Sequence, residues 1–172
     1  MNREIDAFLR TLPACDLDVI EISGWARKEY GFRSYRAFDY PEFDICTVAP
    51  LEPRADLVFC EQVLEHTRDP WRAARNIRAL LRPGGHAVIS VPFMVRVHNE
   101  PGDYWRFTAA GLRILLEEAG LEVLSTGDWG SRASVIANLW FWFPHVPGLP
   151  LGRSPAVPLV VWSIARAPAG GP

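Results

Sequence analysis

Apolar positions change period several times along the chain, and each change marks an element. Ile5, Phe8, Leu9 and Leu12 recur at helical spacing until Pro13 stops them, which predicts a short amphipathic opening helix. "LDVIEIS" (17–23) then reads as a buried strand, with weaker strand candidates at "RSYRAFD" (33–39) and "FDICTV" (43–48). "ADLVFC" (55–60) is a continuous apolar run bounded by polar residues, the pattern of a strand covered on both faces. From Pro70, the residues Trp71, Ala74, Ile77, Leu80 and Leu81 share one helical face, and Pro83-Gly84-Gly85 ends the helix. "HAVISVP" (86–92) predicts the next buried strand. After the irregular stretch 93–107, Thr108 is a good N-cap for a helix that Gly120 closes. "LEVLSTG" (121–127) and "PLVVWSIAR" (158–166) supply the last strands, and the tail 168–172 is expected to be disordered.

Strands alternating with helices imply a doubly wound, mostly parallel α/β sheet in a single domain over 1–167. In such sheets ligands bind beyond the carboxyl ends of the strands, near the switch point in strand order. Three segments fall on that rim: "SGWARKEYGF" after the first strand, "EQVLEH" after "ADLVFC", and "FMVRVHNEPGDYWRF" after "HAVISVP".

Composition narrows the partners. With 172 residues, 49% hydrophobic and 22% charged, the chain can bury a sizeable core as one domain. A formal charge of −2 and scattered arginines leave no electrostatic footprint for nucleic acid. Cys15, Cys46 and Cys60 lack CxxC spacing, so neither a disulfide framework nor a zinc knuckle is expected; Cys46 and Cys60 end apolar runs and suit packing in a reducing compartment. The N-terminus mixes acids and arginines into its apolar positions, unlike a signal peptide. "VIANLWFWF" and "VPLVVWSIA" are about half the ~20 residues a membrane span requires. These features predict a soluble, cytoplasmic protein.

Three constellations carry candidate chemistry. On a helix, Gln62, Glu65 and His66 at i, i+3 and i+4 would share a face, with Glu61 and Glu65 a second i, i+4 pair. Such a face could hold a divalent ion, position a proton acceptor or wall a cation; alternatively, Glu61 complements the helix dipole and His66 caps the turn before Pro70. His98, Asp103, Tyr104, Trp105 and Arg106 crowd a long loop of the kind that usually carries function. There His98 could accept a proton and the aromatic rings could line a pocket, or Asp103 and Arg106 could pair to brace the loop. Glu21 ends the first strand with Ser23 and Gly24 behind it, as nucleotide pockets begin, and Asp39, eighteen residues on, has the spacing of a ribose-binding carboxylate.

The order of these motifs resembles class I S-adenosylmethionine-dependent methyltransferases of the small-molecule type. The resemblance rests on "DLVFCEQVLEHTRDPWRAARNIRALLRPGGHAVISVPF" (56–93) followed by "HNEPGDYWRFTAAGLRILLEEAG", which together span more than a third of the chain. It implies a Rossmann-like, seven-stranded sheet with an antiparallel last strand, abbreviated in its N-terminal half, and S-adenosylmethionine as cofactor. On the cofactor side it places Glu21, Ser23, Gly24, Asp39, Cys46, Glu61 and Gln62. On the acceptor side it places Glu65, Phe93, Asp103, Tyr104 and Arg106, with His98 as the catalytic base and His66 second to it.

Departures from the family pattern keep an alternative in view. Aligned on Glu21, the chain carries Ser23, Trp25 and Arg27 where the family has glycines, and Trp25 on the usual path would take the cofactor's space. "TVAPLEPRA" (47–55) also lacks an acid or amide next to the expected third strand. The alternative is a domain of this fold that no longer methylates and serves as a binding or partner subunit, or runs altered chemistry. The aromatic stretch 139–143 would be its contact surface, or the surface of a homo-oligomer; the plainer expectation for that stretch is a hydrophobic wall over the acceptor pocket or core packing. No metal is expected: some relatives bind a divalent ion through E-x-x-E-H, but here Gln62 replaces the first glutamate and is a poor ligand for a hard cation.

Overall fold

A computed structural model describes residues 2–47, 52–99, 101–141 and 153–170. Six strands form one sheet: β1 (Asp18–Ile22), β2 (Ser34–Phe38), β3 (Ala55–Glu61), β4 (Leu81–Pro92), β5 (Glu122–Trp129) and β6 (Val160–Arg166), in the order β2-β1-β3-β4-β6-β5. The first four are parallel, and β6 runs antiparallel between β4 and β5. Helices α1 (Asn2–Leu9), α2 (Pro70–Leu80), α3 (Ala109–Glu118) and α4 (Arg132–Phe141) complete the described fold.

The architecture is the expected mixed α/β sheet with an antiparallel strand, but among the described residues six strands stand where seven were anticipated. The missing one is "FDICTV". Asp44 accepts the Cys46 backbone N–H at 2.8 Å and Thr47 N–H reaches the Asp44 carbonyl at 2.9 Å, so this segment curls into a turn instead of extending. Val48, its last residue, lies outside the described residues, as do 49–51 after it. The link from β1 to β2 holds only a 3-10 turn, Lys28–Tyr30, in place of a crossover helix. The abbreviation thus falls in the N-terminal half.

Local signals explain the other elements. Asp69 caps α2 by accepting the Arg72 N–H, Pro70 occupies its first turn, and Ala73, Ala74, Ile77 and Leu80 form its buried face. The Pro83-Gly84-Gly85 stretch does not separate α2 from β4: β4 already begins at Leu81. A Cβ on Gly85 would stand 3.1 Å from the Asp56 carbonyl oxygen and 3.2 Å from that of Ala55, so a side chain there would crowd the passage of β4 past the start of β3. Thr108 caps α3, and Gly120 takes the left-handed conformation (φ 81°) just past its end.

One face of the sheet packs Ile20, Val58, Ile89 and Val91 against α2 and α3, through Ala74, Ile77, Leu112 and Leu116. The other packs Val19, Leu57, Phe59 and Val88 against Ile5 and Leu9 of α1, with Phe32 and Tyr35 alongside. α4 leaves Ile136, Leu139 and Trp140 exposed; Trp142 and Phe143, the rest of the aromatic stretch, lie outside the described residues. No helix among the described residues is long and apolar enough to cross a membrane.

β1 is followed by β2 on one side and flanked by β3 on the other, so the switch point in strand order lies between the carboxyl ends of β1 and β3. At that point the backbone departs from ordinary conformations twice. Ser23 (φ 58°) follows β1 and Gln62 (φ 59°) follows β3, and both take the left-handed conformation that side chains disfavour. Each is pinned by one more sheet hydrogen bond, Ser23 N–H to the Phe38 carbonyl at 2.7 Å and Gln62 N–H to the Ser90 carbonyl at 2.8 Å.

Candidate functional site

A cavity of about 620 Å³ opens at this switch point. Ile22 and Ser23 form its floor at the end of β1. Tyr40, Phe43, Asp44, Ile45 and Cys46 wall one side, and Gln62, Val63 and His66 wall the other. Arg68, Asp69, Arg72, Pro101 and Tyr104 make the rim. Its size falls within the range of small-molecule and cofactor sites, and its lining mixes apolar side chains with polar ones.

The two strand-end glutamates beside the cavity are already engaged within the chain. Glu21 is buried and accepts the Ala26 N–H at 3.2 Å, the Arg27 N–H at 3.1 Å and the Tyr35 hydroxyl, which draws the chain after Gly24 back over β1. Arg27 turns inward and grips Glu61 in a bidentate ion pair, with Nε–Oε2 3.1 Å, Nη2–Oε1 3.3 Å and Nη2–Oε2 3.0 Å, while its guanidinium lies over the Phe59 ring at 5.3 Å. Burial raises the Glu61 carboxyl and the Arg27 charge opposes that rise. Trp25, at one of the glycine positions, is 62% exposed and takes no part in the cavity wall.

Beyond His66 lies a second, polar cluster. Val63 opens a single 3-10 turn, Leu64–His66, onto which the long loop after β4 is laid. Tyr104 N–H donates to the Glu65 carbonyl at 2.7 Å, Trp105 Nε1–H to the Thr67 carbonyl at 2.8 Å, and His66 Nδ1 to the Gly102 carbonyl. The turn and the loop therefore present their side chains to each other. Glu65 is fully buried, and neither of its carboxylate oxygens has a hydrogen-bond partner among the described residues. His66 Nε2 stands 3.6 Å and His98 Nε2 3.9 Å from Glu65 Oε1, and the two imidazoles meet edge to face at 4.8 Å. Burial pushes the Glu65 carboxyl up to about 8. Asp103 sits on the far side of His98, with Oδ2 3.2 Å from Nδ1 and accepting the His98 backbone N–H at 2.9 Å. Arg106 holds the same carboxylate through Nη1 and Nη2, the latter at 2.7 Å, and brings Asp103 down to about 2.

The sequence candidates are therefore distributed unevenly. Ser23, Cys46, Gln62, His66 and Tyr104 line the cavity. Glu65, His98, Asp103 and Arg106 gather in the adjoining cluster. Asp39 closes β2 next to Tyr40, its carbonyl accepting the Phe43 N–H at 2.9 Å, and Phe93 packs against the core. Gln62, Glu65 and His66 do not share a helical face: the positive φ at Gln62 breaks any helix there, and Gln62 Nε2 donates to Ser90 Oγ at 3.1 Å. Glu100 of the loop lies outside the described residues. Sequence reasoning missed Tyr40, Asp44, Arg68 and Arg72 as cavity residues; the Asp44-x-Cys46 turn signal could have found Asp44. It also missed Arg27 as the partner of Glu61, which no local spacing reveals.

Comparison with known proteins places this geometry. A family model described as "Methyltransferase domain" matches residues 6–126. The ubiquinone biosynthesis O-methyltransferase of Alkalilimnicola ehrlichii is 36% identical over 78 residues, covering 45% of this chain and 28% of that protein. The chain thus spans under a third of the length of this curated relative. Among solved structures, the [4+2]-cyclase SpnF superposes with a TM-score of 0.64 at 16% identity, covering 98% of this chain and 81% of that one. The Burkholderia thailandensis 1,6-didemethyltoxoflavin-N1-methyltransferase, solved with 1,6-didemethyltoxoflavin and S-adenosylhomocysteine bound, gives 0.62 at 18% identity, with 96% and 77% covered.

Proposed function

The chain belongs to the methyltransferase domain family, and we propose that it binds S-adenosylmethionine in the switch-point cavity and transfers a methyl group to a small-molecule acceptor. The observation that carries this reading is the pair of left-handed residues, Ser23 and Gln62, at the ends of adjacent strands on either side of one cavity. Each such conformation costs on the order of 1–3 kcal/mol, and such strain clusters where a site must be shaped. Phe43, Ile45 and Val63 offer apolar surfaces to a flat base, while Ser23, Asp44 and Gln62 offer polar groups to its ribose and amino-acid parts. The exposed Trp25 leaves the cavity open, so the residues present fit the cofactor even without the glycine pattern.

When bound, this cofactor supplies an electrophilic sulfonium methyl group. The chain's own contribution is alignment of the acceptor, which can supply roughly 7–11 kcal/mol of the barrier. Tyr104 and His66 face the cavity and are the proposed acceptor contacts. Asp103 and Arg106 serve them by fixing the loop, and His98, held by Asp103, is the proposed base, worth about 10²–10⁴-fold for an acceptor that carries a proton. A small-molecule acceptor agrees with the ubiquinone biosynthesis relative and with the toxoflavin enzyme among the structural neighbours. The rival reading, a domain of this fold that no longer methylates, rests on Ser23, Trp25 and Arg27 at the glycine positions.

Calorimetric titration of the chain with S-adenosylmethionine and S-adenosylhomocysteine decides between them. Micromolar binding is expected, weakened at least tenfold by Cys46→Trp, which fills the cavity, and unchanged by His98→Ala. No heat at millimolar cofactor would overturn the proposal and favour the rival.

A further inference from the structure

Glu65, His66 and His98 pose a problem that the cofactor cavity does not solve. His66 Nδ1 meets the Gly102 carbonyl, which can only accept, so that nitrogen carries the proton and Nε2 presents a lone pair. His98 Nδ1 lies 3.3 Å from the Arg96 carbonyl and 3.2 Å from Asp103 Oδ2, again two acceptors, which favours a proton on Nδ1. Both rings direct Nε2 toward Glu65 Oε1, a buried carboxylate oxygen without a hydrogen-bond donor among the described residues. The two strand-end glutamates are treated differently: Glu21 receives two backbone N–H groups and a hydroxyl, and Glu61 receives a guanidinium. Three electron-pair donors facing one point repel one another unless a proton or a metal cation sits between them, and the three of them together form a ligand set.

The geometry points to a divalent transition-metal site of the zinc type, held by Glu65 Oε1 and the Nε2 atoms of His66 and His98. The three donor atoms lie within 4.8 Å of one another, two of the separations being 3.6 and 3.9 Å. Ligation at the usual bond lengths of about 2.0–2.1 Å draws tetrahedral donors to about 3.3 Å apart, a side-chain adjustment. Two nitrogens and one oxygen select zinc-like ions over magnesium or calcium, which prefer all-oxygen shells. The supports behind the ligands are also those of metal sites: a backbone carbonyl orients one histidine, and a carboxylate, itself fixed by Arg106, orients the other. Three protein ligands leave a coordination position open, and the histidine side chains, 16% and 22% exposed, give the ion its way in beside the cavity.

The absence of a glutamate at Gln62, which argued against a metal in the sequence, loses its force. Gln62 turns to Ser90, and His98 arrives from the loop as the third ligand. The site stands whether or not the cavity binds the cofactor. With a metal bound, His98 Nε2 is a ligand and takes no proton; an acceptor hydroxyl on the open position would instead release its proton to solvent.

The test is metal binding by the untagged, chelator-stripped chain, read as zinc competition with a chromogenic chelator and as the visible spectrum of bound Co²⁺. Binding of about one ion per chain at micromolar affinity or tighter is expected, with a tetrahedral Co²⁺ signature. Glu65→Gln, which keeps the side-chain shape, and His98→Ala should each weaken it by at least a hundredfold. Asp103→Asn should weaken it about 10–100-fold. His86→Ala, whose ring packs on Phe8 far from the cluster, should leave it unchanged. Affinity no better than millimolar, or binding equally strong in Glu65→Gln, would overturn the site and leave Glu65 as a buried carboxyl kept neutral by a proton. Melting curves of each variant show whether the fold is kept, and Glu65→Gln alone suffices if His98→Ala does not fold.

Discussion

Replacing Arg27 with methionine keeps the bulk of the side chain and removes only its charge and its donors. In the native fold those donors make a bidentate pair with Glu61, and the two side chains are 7% and 16% exposed. At an effective dielectric near 20, opposite charges about 4 Å apart attract by about 4 kcal/mol, and desolvation of both ions cancels much of that. The pair as a whole is therefore worth little, but losing one partner strands the other. Arg27→Met leaves a buried glutamate without its countercharge and should cost about 3–5 kcal/mol at neutral pH. For a chain of this size that lowers the melting temperature by roughly 6–20 °C.

Burial already raises Glu61, and without Arg27 opposing it the carboxyl rises further. The folded state then binds a proton that the unfolded state does not, so the cost shrinks as pH falls toward the ordinary glutamate range. Urea denaturation of wild type, Arg27→Met, Glu61→Gln and the double variant supplies the assay. Glu61→Gln should cost less, and the double variant should fall within about 1 kcal/mol of wild type after the shared packing loss, giving a coupling of at least 1.5 kcal/mol. Strictly additive losses, or an Arg27→Met cost that does not depend on pH, would refute this account of the pair.

Two further predictions test the N-terminal half. Asp18 receives Arg33 and Arg82 at 2.6 and 2.8 Å and the Ser34 hydroxyl at 2.7 Å, and these hold its carboxyl far below the usual range. A lowered acid contributes stability above its unfolded value, near 4, and loses it as pH falls; Asp18→Asn should thus destabilise at pH 7 but converge with wild type in acid, seen by comparing denaturation midpoints across pH. Trp25→Gly restores a family glycine on the exposed side of the loop and should change cofactor affinity by less than about threefold in calorimetry, whereas a gain of tenfold or more would mean that Trp25 does obstruct the site.

The cofactor site and the metal site are neighbours that share His66, and the metal competes for His98, which is a base only in the metal-free chain. The cavity uses main-chain shape at Ser23 and Gln62, whereas the cluster beyond His66 uses side chains brought together by the loop. Arg106 never reaches the cavity wall, yet through Asp103 it sets the direction of His98, and so bears on both.

The amino-acid pattern by itself determined most of the scaffold. Continuous apolar runs specified β1, β3, β4 and β6, because strands covered on both faces leave no room for polar alternation. Thr108, Gly120 and the Asp69-Pro70 start set helix ends through local caps, whose hydrogen bonds span three or four residues and are therefore written in adjacent letters. The motif order also identified the family. What only the tertiary structure decided is the assignment of partners. Glu61 seemed aimed at a cofactor until Arg27, thirty-four positions earlier, took both its oxygens. Gln62 seemed to belong with Glu65 and His66 until a left-handed backbone turned it to Ser90. His98 joins Glu65 only because the loop after β4 folds back onto a 3-10 turn thirty residues upstream. Charges and lone pairs act through space within a few ångströms, and which groups come that close is set by the crossing of distant segments, not by their spacing along the chain.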